Sequence, residues 1–170
     1  EATGCVQLEL NHQLYAACAK GELEQVKVLL ATVGIQINEG GKGGRTPLWV
    51  ASGGGHLKVV QLLLTRKEIL INQAMDKGFT PLYAACQKGH LDVVKELLKA
   101  DDIKVNQAAD GGWTPLYIAT QKNHLDIVKE LLNAEGIRVN QANNHDATPL
   151  LIACQMGHSD VVKELLNADG

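Results

Sequence analysis

The sequence has 170 residues, of which 45% are hydrophobic and 21% are charged, and its formal net charge is −3. This length and composition predict one folded soluble domain and exclude a disordered chain, and the small negative charge provides no general basic field for nucleic acid. Residues 1–20 carry no signal-peptide pattern and no apolar run reaches the ~18 residues of a membrane span, so we predict neither feature.

Five tandem copies of one motif follow one another along the chain. The first contains Leu14-Tyr15-Ala16-Ala17, with His12-Gln13 ahead of it. In the later copies a Thr-Pro-Leu start recurs every 34 residues, at Thr46, Thr80, Thr114 and Thr148. We place the copies at approximately residues 6–39, 40–73, 74–107, 108–141 and 142–170, within a single domain of residues 1–170.

The third copy shows the elements that each copy is predicted to form. Thr80 is a suitable N-cap and Pro81 suits the first helical position, so a short helix begins there and ends at Gly89, which can adopt a left-handed conformation. A second helix follows over residues 90–98 with its apolar residues on one stripe. The alternation at Ile103-Lys104-Val105 then predicts a brief extended segment that enters a turn.

These residues resemble the ankyrin repeat, a unit of ~33 residues built from a turn and two helices with the pattern Thr-Pro-Leu-His-x-Ala. Two departures are visible: Tyr or Trp replaces the His in copies two to four, and one extra residue lies between the second helix and the turn. The resemblance implies an all-α solenoid of stacked helix-turn-helix units with hairpin-like turns. It also implies that partner proteins bind a concave face formed by turn tips and first helices, without catalysis or a cofactor.

The glycine-rich stretch GGKGGRTPLWV at residues 40–50 raises the alternative of nucleotide or phosphate binding through the turn at residues 40–44. Neither common phosphate-loop signature is complete, because Lys42 is followed by Gly43 and the third glycine of a Gly-x-Gly-x-x-Gly pattern is Thr46. The repeat alignment instead assigns these glycines to the turn of the second copy.

Histidine and cysteine also recur with the repeat. His56, His90, His124 and His158 begin the second helices, and copies stacked ~8–10 Å apart cannot share one ion through these positions, so we predict no metal site. Cys18, Cys86 and Cys154 share one position, which predicts small packing residues with free thiols in a reducing compartment, and hence an intracellular, cytoplasmic protein. Cys5 lies outside this pattern. Asn38, Asn72, Asn106 and Asn140 are predicted to stabilise turns.

All six aromatic residues fall in two columns, one just before and one just after Thr-Pro-Leu, and none is assigned to the predicted core. The first column runs Asn11, Arg45, Phe79, Trp113, Ala147, so the scaffold does not require an aromatic residue there. A simple packing role remains an equal alternative for the tyrosine column. The predicted partner-binding residues are Arg45, Trp49, Lys77, Phe79, Tyr83, Gln87, Asp110, Trp113, Tyr117 and Gln121.

The sequence therefore predicts a non-enzymatic module that binds another protein, with no nucleic-acid or membrane partner. Two alternatives remain: an engineered or consensus-like scaffold without a native partner, favoured by the near-identical second helices, and nucleotide binding by the glycine-rich turn. The chain is predicted to be a monomer that can associate end to end, because the fifth copy keeps Val161, Val162, Leu165 and Leu166 instead of a polar outer face.

Overall fold

The computed structural model describes residues 2–168, with side chains from Val6 onward, and this part of the chain forms ten α-helices and no β-strand. The helices are α1 Ala2–Lys20, α2 Leu23–Leu30, α3 Pro47–Gly53, α4 Leu57–Leu64, α5 Pro81–Lys88, α6 Leu91–Leu97, α7 Pro115–Gln121, α8 Leu125–Leu132, α9 Pro149–Met156 and α10 Ser159–Ala168. Short 3-10 turns occupy Lys42–Gly44 and Asp76–Gly78. The all-α fold is as predicted; the side chain of Cys5 and residue 170, the predicted end of the last copy, lie outside the described part.

The helices stack in two layers. The odd-numbered helices pack on one another in the order α1, α3, α5, α7 and α9, and the even-numbered helices form a parallel row from α2 to α10. Each odd-numbered helix also packs on the even-numbered helix that follows it. Every helix therefore contacts only its own copy and its neighbours, as expected of a solenoid.

The capping residues act as the sequence predicts. The Thr80 hydroxyl oxygen accepts a hydrogen bond from the Tyr83 backbone N–H at 3.1 Å, and Thr46, Thr114 and Thr148 make the equivalent bond. Gly89 ends α5 with φ +80°, and Asn123 adopts φ +58° at the same position in the fourth copy. Local signals thus determine where the first helices begin and end.

One continuous core runs between the two layers. It contains the leucine of the first three Thr-Pro-Leu sequences, such as Leu82 at 1% exposure, and buried residues of each second helix, such as Leu97 at 0%, whereas Leu150 of the fifth copy is only partly buried. Because the same positions are filled in each copy, the stacked copies bury a face that a single copy could not bury alone.

The first copy departs from the alignment. Its turn is replaced by helix α1, so Asn11, which the alignment places at a turn tip, is helical and nearly buried, and its side-chain oxygen accepts from Gln36 N–H at 3.0 Å. The physical reason is local. His12-Gln13 replaces the Thr-Pro pair that would cap a new helix, and residues 6–11 contain no glycine to form a turn.

The predicted extended segment at Ile103-Lys104-Val105 is wrong, because these residues form successive turns. Ile103 N–H donates to Ala100 O at 3.1 Å, and Gln107 N–H donates to Lys104 O at 3.1 Å. The connecting loop is fixed from the neighbouring copy: the Asn72 side-chain oxygen accepts from Lys104 N–H at 2.9 Å, while its amide donates to Asp102 O at 2.8 Å.

The asparagine column therefore joins copies rather than stabilising its own turn. Asn38 and Asn106 repeat the two bonds of Asn72, each reaching the loop of the following copy. These bonds satisfy backbone groups of a loop that forms no regular structure, which is the usual requirement for such a segment.

Candidate protein-binding surface

The turns that precede the first helices are tight hairpins. In the third copy Met75 N–H donates to Phe79 O at 3.0 Å and Gly78 N–H donates to Met75 O at 3.0 Å. Lys77 and Gly78 adopt φ +72° and +81°, in the left-handed region that tight turns commonly use. We call residues 42–45, 76–79, 110–113 and 144–147 the turn tips.

Neighbouring turn tips are hydrogen-bonded to each other. Asp110 N–H donates to Lys77 O at 3.0 Å, and Asn144 N–H donates to Gly111 O at 3.1 Å. The backbone thus links the last three turn tips into one edge of the molecule, and their side chains are held in a fixed order.

Three aromatic side chains lie side by side along this edge, and we call Trp49, Phe79 and Trp113 the aromatic row. The Phe79 and Trp113 rings stack with centroids 6.5 Å apart and an angle of 6° between their planes. The Trp49 indole N–H donates to Phe79 O at 3.0 Å, and the Arg45 guanidinium lies 5.1 Å from the centre of the Trp49 ring. All three rings are partly exposed, so the row offers apolar area at the surface.

The ten predicted site residues fall into three groups. The exposed side chains are Arg45, Lys77 and Asp110, and the partly exposed ones are Trp49, Phe79, Gln87, Trp113 and Gln121. Tyr83 and Tyr117 are buried, each at 5% exposure.

The prediction that no aromatic residue belongs to the core is therefore wrong for Tyr83 and Tyr117, while Tyr15 is only partly buried. Tyr83 is part of the core cluster, and its ring lies 4.7 Å from that of Phe79. Burial raises the pKa of Tyr83 to about 12, with smaller contributions from Cys86 and Tyr117. The packing alternative left open for this column explains both buried tyrosines, and Tyr83 also supports Phe79 of the aromatic row.

The glycine-rich turn has no free space for a phosphate on the side of the next copy. A methyl group built on Gly44 would lie 2.8 Å from a carboxylate oxygen of Asp76, so the neighbouring turn places a negative charge against this glycine. The Gly44 N–H is also already bonded to Gly41 O, at 3.1 Å. A phosphate held against the Gly44 backbone would meet electrostatic repulsion from Asp76 and would lack this donor.

The histidines at the start of the second helices join adjacent copies. The Nε2 atoms of His56, His90 and His158 lie 3.0, 3.1 and 3.3 Å from carbonyl oxygens of Ala19, Gly53 and Gln121 in the preceding copy. Because a carbonyl only accepts, Nε2 must carry the hydrogen in each of these rings. The sequence predicted a structural role but not this bond between copies. Within the described residues no cluster of three or more His, Cys, Asp or Glu could hold a metal ion.

The cysteine column is buried in the first and third copies. Desolvation raises the pKa of Cys18 to about 12 and that of Cys86 further, so both are neutral thiols near neutral pH. The packing prediction is wrong for Cys154, which is exposed because no described helix covers that side of α9.

Charges on the opposite, second-helix face pair across copies. Lys95 lies 3.9 Å from Glu130 and Lys129 lies 3.4 Å from Glu164, one copy further along. The Gln61 amide likewise donates to Glu96 of the following copy at 3.2 Å. The hydrogen bond from Lys99 lowers the pKa of Glu96 most, and the bond from Gln61 lowers it further. A cleft of about 680 Å³ lies beside these residues, lined by Lys95, Leu98 and Glu130 among others.

The comparisons with known proteins agree with the repeat pattern. A family model described as ankyrin repeats (3 copies) matches residues 14–109 and residues 102–170, which together are most of the chain. No curated protein matches the chain. No helix of residues 2–168 has the length and apolar character needed to cross a membrane.

Proposed function

Because this chain belongs to the ankyrin-repeat family, whose members are generally protein-protein interaction modules and typically not catalytic, we propose that it binds a partner protein on its turn tips and first helices. The surface consists of the aromatic row with the neighbouring exposed charges Arg45, Lys77 and Asp110. The partly exposed Gln87 and Gln121 extend it along α5 and α7.

The partly exposed stack of Phe79 and Trp113 is the observation that carries this proposal. The scaffold does not need aromatic rings at this position, because Arg45 and Ala147 occupy it in the second and fifth copies. Aromatic residues that present area at the surface are common anchors of protein interfaces, where truncation of one frequently costs ~2 kcal/mol or more. Tyr83 holds the Phe79 ring from below, so little side-chain freedom remains to be lost on binding.

The second-helix face is a weaker candidate for the partner site. Its charges already form ion pairs between copies, whereas the turn-tip charges Lys42, Arg45, Asp76, Lys77, Asp110 and Asp146 form no ion pair with any residue of the described chain. A partner on the second-helix face would have to compete with those pairs, and a partner on the turn tips would not.

Affinity capture with matched variants tests the proposal. The parent chain, the variant Phe79→Ala with Trp113→Ala, and the control Lys95→Ala with Lys129→Ala are used as baits, and each captured protein is then purified and its binding measured directly. We expect the aromatic variant to lose at least ~10-fold in affinity while the control keeps the parent value. Circular dichroism shows that each bait is folded.

The opposite pattern would move the site. If a purified partner binds the aromatic variant as tightly as the parent and loses affinity for the control, the second-helix face is the interface. If ATP or GTP changes the tryptophan fluorescence at micromolar concentration, and Lys42→Ala abolishes that change, the nucleotide alternative replaces the present one.

We also infer that the chain functions inside the cell, in the cytoplasm, because the buried thiols Cys18 and Cys86 suit a reducing compartment. Fluorescence microscopy of the tagged full-length protein from the source cell tests this. A signal restricted to the secretory pathway would contradict it.

A further inference from the structure

The turn tips carry an ordered charge distribution along the array. Residues 42–45 hold two positive charges, Lys42 and Arg45, and residues 76–79 hold one charge of each sign. Residues 110–113 and 144–147 each hold one negative charge, Asp110 and Asp146. The edge therefore changes from basic at the second copy to acidic at the fourth and fifth, with Phe79 and Trp113 between the two ends.

These charges are available to an external partner. Lys42, Arg45, Asp110 and Asp146 are exposed, and none of them lies within 4.0 Å of an opposite charge of the described chain. Glu39, the acidic residue closest in sequence to Lys42, forms no ion pair with Lys42 or Arg45.

The spacing of the turn tips fits one backbone conformation of a linear partner. Stacked helices lie ~8–10 Å apart, so the backbones of corresponding turn-tip residues repeat at about that distance, while the ring centroids of Phe79 and Trp113 are 6.5 Å apart. A polyproline II segment has three residues per turn and rises ~9 Å over them, so every third side chain points to the same side at nearly the same interval. Four such side chains would face the second, third, fourth and fifth copies in turn.

Building on the proposed function, we propose that the partner element is a linear polyproline II-like segment with an acidic residue at one end, apolar residues in the middle and a basic residue at the other. The acidic residue lies over Lys42 and Arg45, and the apolar residues contact Phe79 and Trp113. The basic residue lies over Asp110 and Asp146. An aromatic surface suits such a segment because its backbone is already ordered and little entropy is lost on binding.

Synthetic peptides provide the probe. The test peptide is proline-rich, has about twelve residues, and carries Glu, Leu, Leu and Lys at every third position, a spacing that spans four turn tips. A second peptide carries the same residues in reversed order, so that both possible chain directions are tested. The peptide that binds more tightly is used in the measurements. A control peptide of the same composition has the charged residues in the middle and the leucines at the ends. Binding is followed by the fluorescence of Trp49 and Trp113, since the peptides contain no tryptophan.

We expect the test peptide to bind about 10-fold more tightly than the control peptide, and this preference to decrease as salt rises. The variant Lys42→Glu with Arg45→Glu should lose about 10-fold for the test peptide, because two attractions become repulsions. That variant should instead prefer a peptide with Lys at both ends. Reversal of Lys95 and Lys129 to Glu, on the second-helix face, should leave all affinities unchanged.

The outcomes separate this inference from the proposed function. Peptide binding that depends on Phe79 and Trp113 but not on the turn-tip charges overturns the charge order and leaves the surface in place. Binding that persists in the variant Phe79→Ala with Trp113→Ala removes the surface itself. A folded parent chain that binds neither peptide at millimolar concentration overturns the linear segment, while the captured partner still tests the surface independently.

Discussion

Substitution of Gly55 by alanine tests the contact between successive copies most directly. Gly55 has φ +72°, and an added methyl carbon would lie 2.6 Å from Nδ1 of His90, far inside normal contact. Gly157 provides a matched control, because it also has φ +72° but an added methyl there meets no atom within 4 Å. The two substitutions share the cost of a left-handed alanine and differ in the histidine contact.

The left-handed conformation costs an alanine ~1–2 kcal/mol at either site. At Gly55 the His90 ring must also move, which disturbs its hydrogen bond to Gly53 O, an interaction worth ~1 kcal/mol. The fourth copy limits this second contribution: Asn123 has a β-carbon at the equivalent position, and His158 still lies 3.3 Å from Gln121 O. We therefore expect Gly55→Ala to reduce the free energy of unfolding by ~2–3 kcal/mol and Gly157→Ala by ~1–2 kcal/mol.

Urea unfolding of the two variants gives both values, and His90→Ala completes a double-mutant cycle. In the His90→Ala background, Gly55→Ala should cost no more than Gly157→Ala does in the parent. Equal costs for the two glycine substitutions in the parent, or a Gly55→Ala cost that is unchanged when His90 is removed, would refute the proposed contact.

Three further expectations follow from burial. Leu97→Ala should lower the free energy of unfolding by ~2–5 kcal/mol in urea melts, because this residue is 0% exposed. Lys95→Ala should lower it by no more than ~0.5 kcal/mol. Similar losses for both variants would contradict the assigned core. The pKa of Tyr83 is raised from 10.0 to about 12 in the folded state, so the unfolded state loses this proton at lower pH. The free energy of unfolding should therefore fall as pH rises through that window, and Tyr83→Phe should reduce the fall. An unchanged alkaline profile would exclude the tyrosine as the source of the fall. Leu151 and Leu166 are 44% and 55% exposed. Replacing both by Lys should therefore lower self-association in sedimentation experiments while the melting temperature stays within a few degrees. Identical sedimentation of parent and variant at high concentration would show that this face does not associate.

The sequence was sufficient for the ends of the first helices in copies two to five, which depend on residues close together in the chain. Thr80 and Pro81 start a helix, and Gly89 ends it, through bonds that span only a few residues, so their types alone predict these boundaries. The same local rule explains the error in the first copy, where His12-Gln13 lacks the capping signal and the helix continues from Ala2.

Only the tertiary structure decided what happens between copies. Tyr83 becomes a buried support for Phe79, His90 donates to a carbonyl of the preceding copy, and Asn72 bonds the loop of the next one. The bonds of His90 and Asn72 join residues roughly one repeat apart, whereas Tyr83 and Phe79 lie in one copy, and the geometry of the bonds between copies is set by how the copies stack. A residue that recurs in each copy indicates a repeated role. Whether its side chain points to solvent, to its own turn or to a neighbouring copy depends on a packing angle that no local pattern encodes.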